Sequence, residues 1–461
     1  MYLAVIYKLF ILMKKIFKFL SLALVLFLLY YGYTNYPLDL ISGFSAKSVA
    51  SGHFIANRSQ EIIENQDNDV SVIFLAKNKI NEAEKFAIAS IFGFKERKAI
   101  YREGLGVTLI SDDFDVTKPY KVPKRTRIKN NLPFPYGNNE PKDSVFANID
   151  YKKLNTAVAN AFDRNGEISK RTRSVLVIYK DKIIAEKYAP GIDKNSKIMG
   201  WSMTKSITAT YFGILQKLGK MDIYKPAPIA EWSNDERAKI TINDLLHMNS
   251  GLEWKEDYTK RSDAVEMLYL SEDMTKAQID KPLVGKPNAT YYYSSGTSNL
   301  LSGILRKQFK THQEYLDFWY SALIDKIGMH SMLVETDMAG NYVGSSYSWA
   351  TTRDWAKFGL LYLHKGNWNG EQLFDENWAK YVSTPANGSK GEYGGHFWLN
   401  AGGVYPDAPR DLYSVNGFQK QRIFILPSQD LVIVRMGFNK DETFDFNSFL
   451  SEIVGSLKKN Q

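Results

Sequence analysis

Ser202 and Lys205 stand three positions apart in the run Gly200-Trp-Ser-Met-Thr-Lys-Ser206. On a helix those positions share a face, so the hydroxyl and the amine can touch. Serine is a poor nucleophile until a base removes its proton. Lysine can be that base once burial lowers its pKa. A serine at a helix start also lies where backbone N–H groups meet incoming negative charge. Ile207, Tyr211, Ile214, Leu215 and Leu218 follow as an apolar stripe that would seat the helix in a core.

Ser-x-x-Lys is weak evidence alone, and the chain holds a second at Ser456–Lys459 with no partner motif. The first has partners. Tyr291-Tyr-Tyr293-Ser-Ser295-Gly-Thr-Ser-Asn-Leu300 places a phenol and two serines before a helical pattern. A nearby lysine would lower the pKa of Tyr293, so that its phenolate could take the serine proton. Two further runs lie between and beyond: Asp244-Leu-Leu-His-Met-Asn-Ser-Gly251-Leu, and Ala350-Thr-Thr-Arg-Asp-Trp-Ala-Lys-Phe-Gly359.

These four ordered motifs resemble the serine β-lactamase and penicillin-binding-protein superfamily on its class C side. Its carboxylesterases and aminohexanoate amide hydrolases are the closest in pattern. The likeness spans about residues 145–455 and is carried by Ser202–Lys205, Tyr293–Ser295 and the two runs quoted above. It implies Ser202 as nucleophile, Lys205 as its activating partner and Tyr293 as general base and acid. It implies no metal and no organic cofactor. Two departures count against a dedicated β-lactamase. Ser295 stands where class C enzymes usually carry Asn, and the usual Lys-Thr-Gly appears as Val415-Asn416-Gly417. The cation that would hold a β-lactam carboxylate is therefore missing there, unless Lys420 or Arg422 reaches the place. The retained glycine leaves the backbone N–H of Phe418 to pair with that of Ser202 as an oxyanion hole. Ser295, Asn416, Gly417, Trp201 and His396 are candidate substrate contacts. His396 lies in Tyr393-Gly-Gly-His-Phe-Trp398, where glycines beside aromatics would admit a ligand or pack as a core strand. His247 reads as a turn stabiliser, and Trp254 as packing.

The elements that must position these residues form an α+β pattern. Ser174–Tyr179 and Ile183–Tyr188 flank a short turn, as do Arg422–Leu426 and Leu431–Arg435, so each pair reads as a hairpin. Phe449, Leu450, Ile453, Val454 and Leu457 lie on one face of a closing helix. Strands at both ends and helices between them predict a layered domain whose antiparallel sheet gathers the two termini; the resemblance implies the β-lactamase-like fold, in which helices and a mostly helical subdomain flank that sheet. The catalytic domain would run from 146 to 461. Residues 39–145 would be an appended segment, with a strand at Val70–Ala76 and a helix at Asn81–Phe92. They end in a basic, Pro-rich connector from 116 to 137, holding Lys118, Lys121, Lys124, Arg125, Arg127 and Lys129.

The chain has 461 residues, 44% of them hydrophobic, which excludes global disorder. No cysteine is present, which removes disulfides and thiolate chemistry. Six histidines occur and no two are four apart, so the zincin helix motif is absent. The net charge of +9 suggests nucleic acid, but Lys8, Lys14, Lys15 and Lys18 cluster at the start and six more basic residues sit in the connector. Nucleic acid is not expected as a partner. Phe19 to Leu38 carries no charge, and Tyr30, Tyr31, Tyr33 and Tyr36 form an aromatic belt. Residues 1–38 are therefore expected to include an N-terminal transmembrane helix, as anchor or signal. Such an anchor would hold the catalytic domain outside the cytoplasm of a bacterial cell.

The sequence as a whole points to a serine hydrolase cleaving an ester or amide of a small or peptide-like substrate through an acyl-enzyme. A D,D-peptidase or β-lactamase, and an inactive cell-wall sensor, are the alternatives.

Overall fold

The computed structural model describes residues 2–35, 38–127, 130–137, 139–164, 166, 169–439 and 444–458. Tyr36, Lys129 and Lys459, each named above, lie outside these, as does the side chain of Tyr33.

Helices α1 (Tyr2–Asn35), α2 (Leu38–Phe54) and α3 (Gln60–Gln66) open the chain. Strands β1 (Ala76–Asn81), β2 (Phe86–Ile91), β3 (Phe94–Arg102) and β4 (Gly106–Ile110) then form an antiparallel meander. The central sheet has the order β12-β13-β14-β15-β5-β6. Its strands are β5 (Thr172–Tyr179), β6 (Lys182–Tyr188), β12 (Trp398–Leu399), β13 (Tyr413–Gly417), β14 (Gln421–Leu426) and β15 (Leu431–Gly437). A three-stranded sheet, β7-β9-β8, joins β7 (Lys197–Met199), β8 (Leu333–Val334) and β9 (Ser348–Thr351), and a small hairpin joins β10 (Asn367–Trp368) to β11 (Glu371–Gln372). The remaining helices are α4 (Tyr151–Asn160), α5 (Met203–Lys217), α6 (Ile242–Leu246), α7 (Asp263–Leu270), α8 (Ser295–Arg306), α9 (His312–Trp319), α10 (Thr352–Leu363), α11 (Glu376–Val382) and α12 (Phe446–Val454).

Side-chain alternation decides what each face of the central sheet meets. Leu176 and Ile178 of β5 turn toward α5 and α10, while Val175 and Val177 turn toward α4 and α12. Both predicted hairpins and the closing helix form as expected, and β15 pairs with β5 to bring the two chain ends together. Helix α10 lies close on the sheet because Gly359 has no side chain. A Cβ there would stand 2.7 Å from Ile423 and 2.8 Å from Val432.

Three expectations for the N-terminal third are corrected. Among the described residues no helix is long and apolar enough to cross a membrane. Helix α1 is long and solvent-exposed, but its purely apolar stretch is short. Lysines precede it through Lys18, and Tyr30, Tyr31, Gly32 and Thr34 follow Leu29. The expected transmembrane helix is corrected accordingly, and the membrane association expected through it loses that support. The expected helix over Asn81–Phe92 is instead a turn entering β2, where Ala87, Ala89 and Ile91 alternate into a core under α2. Local helix preference at Glu82–Lys85 yields to that period-two burial. The expected strand at Val70–Ala76 is a 3-10 turn, Ser71–Leu75, that only then enters β1.

The N-terminal elements are bound to the rest of the chain by a buried cluster. Lys47 Nζ of α2 donates to Glu335 Oε2 at 2.5 Å, and Glu335 also accepts from Val107 N at 2.7 Å and Trp349 Nε1 at 2.8 Å. The connector is fastened as well: Arg125 pairs with Asp325 at 2.7 Å and lies 4.0 Å from the Tyr320 ring centroid. Lys47→Met leaves the Glu335 carboxylate buried without its cation. The expected outcome is a loss of about 3 kcal/mol in unfolding free energy, read as a lower denaturant midpoint, whereas Lys85→Met on the exposed turn leaves the midpoint in place.

Candidate active site

Ser202 sits at the N-cap of α5, with φ −61° and ψ −7°, and its hydroxyl makes no capping hydrogen bond. The oxygen is thus not committed to its own helix. Trp201, the residue before it, is held at φ +49°, a left-handed conformation that costs a non-glycine residue about 1 kcal/mol or more. Three rings hold it there: Phe44 of α2 at 6.5 Å, Tyr347 at 6.0 Å and Phe418 at 5.5 Å between centroids. The turn is also anchored from below, where Gly200 N donates to Ser348 O of β9 at 2.8 Å.

Lys205 lies one turn inside α5 and is 1% exposed. Its Nζ has three partners: Ser202 Oγ at 3.0 Å, Ser295 Oγ at 3.0 Å and Ser345 O at 2.9 Å. Burial lowers its pKa to about 8, partly opposed by the negative charge of Glu256. The partners are not equivalent. Ser345 O can only accept. Ser295 Oγ gives its own proton to Glu256 Oε1 at 2.5 Å, so it must accept from Lys205. Two N–H groups of the neutral amine are thereby fixed. The direction left for the lone pair is that of Ser202.

Glu256 is the site residue the sequence reading missed. Besides Ser295 Oγ it accepts from Ser295 N at 2.8 Å, Tyr258 Oη at 2.6 Å and Trp254 Nε1 at 2.5 Å. The signal was available: Trp254-x-Glu256-x-Tyr258 follows directly on the Ser250-Gly251 turn. Trp254 thus packs, as expected, and also orients this carboxylate. A Cβ on Gly296 would meet its ring at 2.5 Å.

Of the three adjacent tyrosines, Tyr293 is the one at the site. Its ring centroid is 5.0 Å from Lys205 Nζ, while Tyr292 points to solvent. The expected lowering of its pKa is reversed. Burial first, then the charge of Glu256, push the phenol up, and the neighbouring Ser202 and Arg422 only partly offset this. Tyr293 is therefore a proton-bearing phenol at neutral pH. Tyr393 and Trp398 pack on its ring at 5.8 and 5.4 Å.

The other candidates divide. Gly417 at the end of β13 lies against the turn that precedes Ser202, where a Cβ would stand 2.0 Å from Gly200 O. Phe418 and Ser202 line one cavity together with Trp201. Asn416 is half-buried and its Oδ1 lacks a hydrogen-bond partner. Arg422 donates through Nη1 to Gly417 O at 3.1 Å and Gln421 O at 2.8 Å, and its positive charge reaches Tyr293, whose phenol it acts to make more acidic. His396 stands apart from the cavity. It is 2% exposed, Nδ1 lies 2.7 Å from Leu246 O, Nε2 lies 3.0 Å from Ser298 Oγ, and burial lowers its pKa to about 3. The glycines beside it admit backbone rather than ligand, since a Cβ on Gly394 would be 2.1 Å from Val382 O. His247 stacks on Tyr381 at 4.7 Å as a turn residue, as expected.

The sequence model of the Beta-lactamase family matches residues 160–448. The chain belongs to that family. No curated protein matches it. Among solved structures it is similar to a Bacillus anthracis protein described as a 6-aminohexanoate-dimer hydrolase, at 21% identity and TM-score 0.52, over 62% of this chain and 78% of that one. It is similar to a penicillin-binding protein homologue from Caulobacter crescentus at 12% identity and TM-score 0.53, over 67% and 97%. It is also similar to EstCE1, a hydrolase with promiscuous acyltransferase activity, at 12% identity and TM-score 0.54, over 67% and 98%. At these identities the three structures establish the fold.

Because the Glu256 charge raises the Lys205 pKa, Glu256→Gln lowers it further. The expected outcome is that the acid limb of the pH profile for Ser202 phosphonylation moves to lower pH in the variant. An unmoved limb would show that Glu256 and Lys205 are electrostatically independent.

Proposed function

We propose that the protein is a serine hydrolase that cleaves an ester or amide through an acyl-enzyme on Ser202. The observation that carries this reading is the buried amine with its third hydrogen-bonding direction on the Ser202 hydroxyl. Neutral Lys205 takes the serine proton as Ser202 Oγ attacks the carbonyl carbon. The carbonyl oxygen gains charge, and the backbone N–H groups of Ser202 and Phe418 receive it. Tyr293, still carrying its proton, gives it to the departing alcohol or amine and recovers a proton from Lys205. In deacylation the order reverses, with water as the attacking group. Lys205 and Tyr293 thus serve together as base and acid.

Family membership supports hydrolysis as the class of reaction. The missing cation beside Asn416, where Val415 stands in place of the usual lysine, favours ester or simple amide substrates over β-lactams and D,D-peptides.

Two measurements test this. Ser202→Ala is expected to lower p-nitrophenyl ester turnover by about 10⁴-fold or more and to abolish fluorophosphonate labelling. Wild-type turnover in that variant overturns the reading. For the unaltered protein, kcat/KM is expected to rise with pH through an apparent pKa of about 8, because the base is the neutral form of Lys205. A rate that falls across that interval would exclude Lys205 as the base.

A further inference from the structure

The cavity beside Ser202 is not built by the family body alone. One wall is Trp201, Leu268, Tyr269 and Phe418; the facing wall is Leu40, Ile41 and Phe44 of α2 with Val70, Val72 and Ile73 at the 3-10 turn. That second wall lies wholly before residue 160, where the family match begins. The cavity encloses about 140 Å³. A water-sized group occupies about 10–15 Å³ on that measure, so there is room for on the order of ten such groups. Its charged rim residues are engaged: Lys260 pairs with Asp257 at 3.4 Å, and Arg261 pairs with Glu266. Nothing in the apolar wall asks for a polar substituent.

We infer that the appended N-terminal segment sets substrate choice by forming an apolar chain pocket beside Ser202, and that the substrates are esters or amides bearing an unbranched apolar chain of roughly eight carbons next to the scissile bond. This rests on the hydrolase reading above and names its substrate class. A chain entering the cavity is taken out of water against Phe44, Val72 and Ile73, and each methylene buried contributes about fourfold to kcat/KM until the room is used. The α2 part of the wall is held in place. Phe44 is locked between Trp201 and Tyr269, at 6.5 and 5.5 Å between centroids, and α2 is fastened by the Lys47–Glu335 pair. The element that shapes the pocket is therefore also the one that braces the strained residue before the nucleophile.

The test uses the full chain with two ester series. One varies the acyl side, p-nitrophenyl acetate to dodecanoate. The other varies the alcohol side, methyl to dodecyl acetate. Active sites are counted with a small fluorophosphonate. In one series kcat/KM is expected to climb from two carbons to about eight and then level, which also tells which side of the bond enters the cavity. Val72→Trp, which fills the pocket from the appended segment, is expected to lower the eight-carbon to two-carbon ratio by about tenfold or more per active site. Phe44→Ala, which widens it, should move the optimum to longer chains. Because each value is a ratio per titrated site, a partly misfolded variant does not mimic either result. Ser202-dependent turnover with no gain from chain length in either series overturns the chain pocket and leaves the hydrolase reading standing. A length preference that both variants retain overturns the role of the appended segment. Absence of Ser202 labelling and of all turnover overturns the hydrolase reading and this inference with it.

Discussion

Keeping one amine out of water is the constraint on which the rest of the site depends. A lysine inside a protein loses hydration that its charged form needs, and the neutral form gains ground. Lys205 is placed where that loss is large and where neighbours decide the direction of its lone pair. Helix α8 supplies Ser295, whose proton is drawn away by Glu256. Helix α8 also supplies Asn299, whose Oδ1 holds Ser345 N at 3.0 Å and so fixes the segment that presents the Ser345 carbonyl. The two helices and the loop between β8 and β9 thus converge on a single nitrogen.

Glu256 makes that arrangement stricter. A carboxylate near a base raises the base's pKa, which weakens the supply of neutral amine. It also disfavours a phenolate on Tyr293. Its four donors hold it where it does both and orders Ser295. The serine that departs from the usual Asn therefore belongs to a different local solution. A hydroxyl with one proton can be directed by a carboxylate, whereas an amide carries its donor and acceptor on separate atoms.

Much of this was legible in the residue order. The Ser-x-x-Lys pair, the Tyr293 turn and both hairpins follow from short-range spacing, and spacing survives folding. Gly359 explains its own motif once the helix lies on β14 and β15. What the sequence did not disclose came from long-range packing. Glu256 is one acid among many until Trp254 and Tyr258 close around it. Helix preference at Glu82–Lys85 lost to the β1–β2 hairpin, whose buried face lies under a helix distant in sequence. His396 looked like a ligand contact because glycines flank it, yet those glycines serve the close approach of the Val382 backbone. Phenol acidity was misjudged for the same reason: proximity to a lysine can be read from order, but depth of burial cannot.

Gly43 of α2 gives the last feature its meaning. A side chain there would press on Leu109 at 3.1 Å and on Tyr269 at 3.4 Å, so the helix and α7 touch almost backbone to backbone. Such a seam has no room for water and no tolerance for partial separation. A chain trimmed to the family body would uncover Trp201 and Tyr269, on which Phe44 and Gly43 of α2 pack, and an apolar face of that kind drives self-association. Proteolytic trimming of the appended segment would therefore tend to yield aggregates instead of a minimal enzyme.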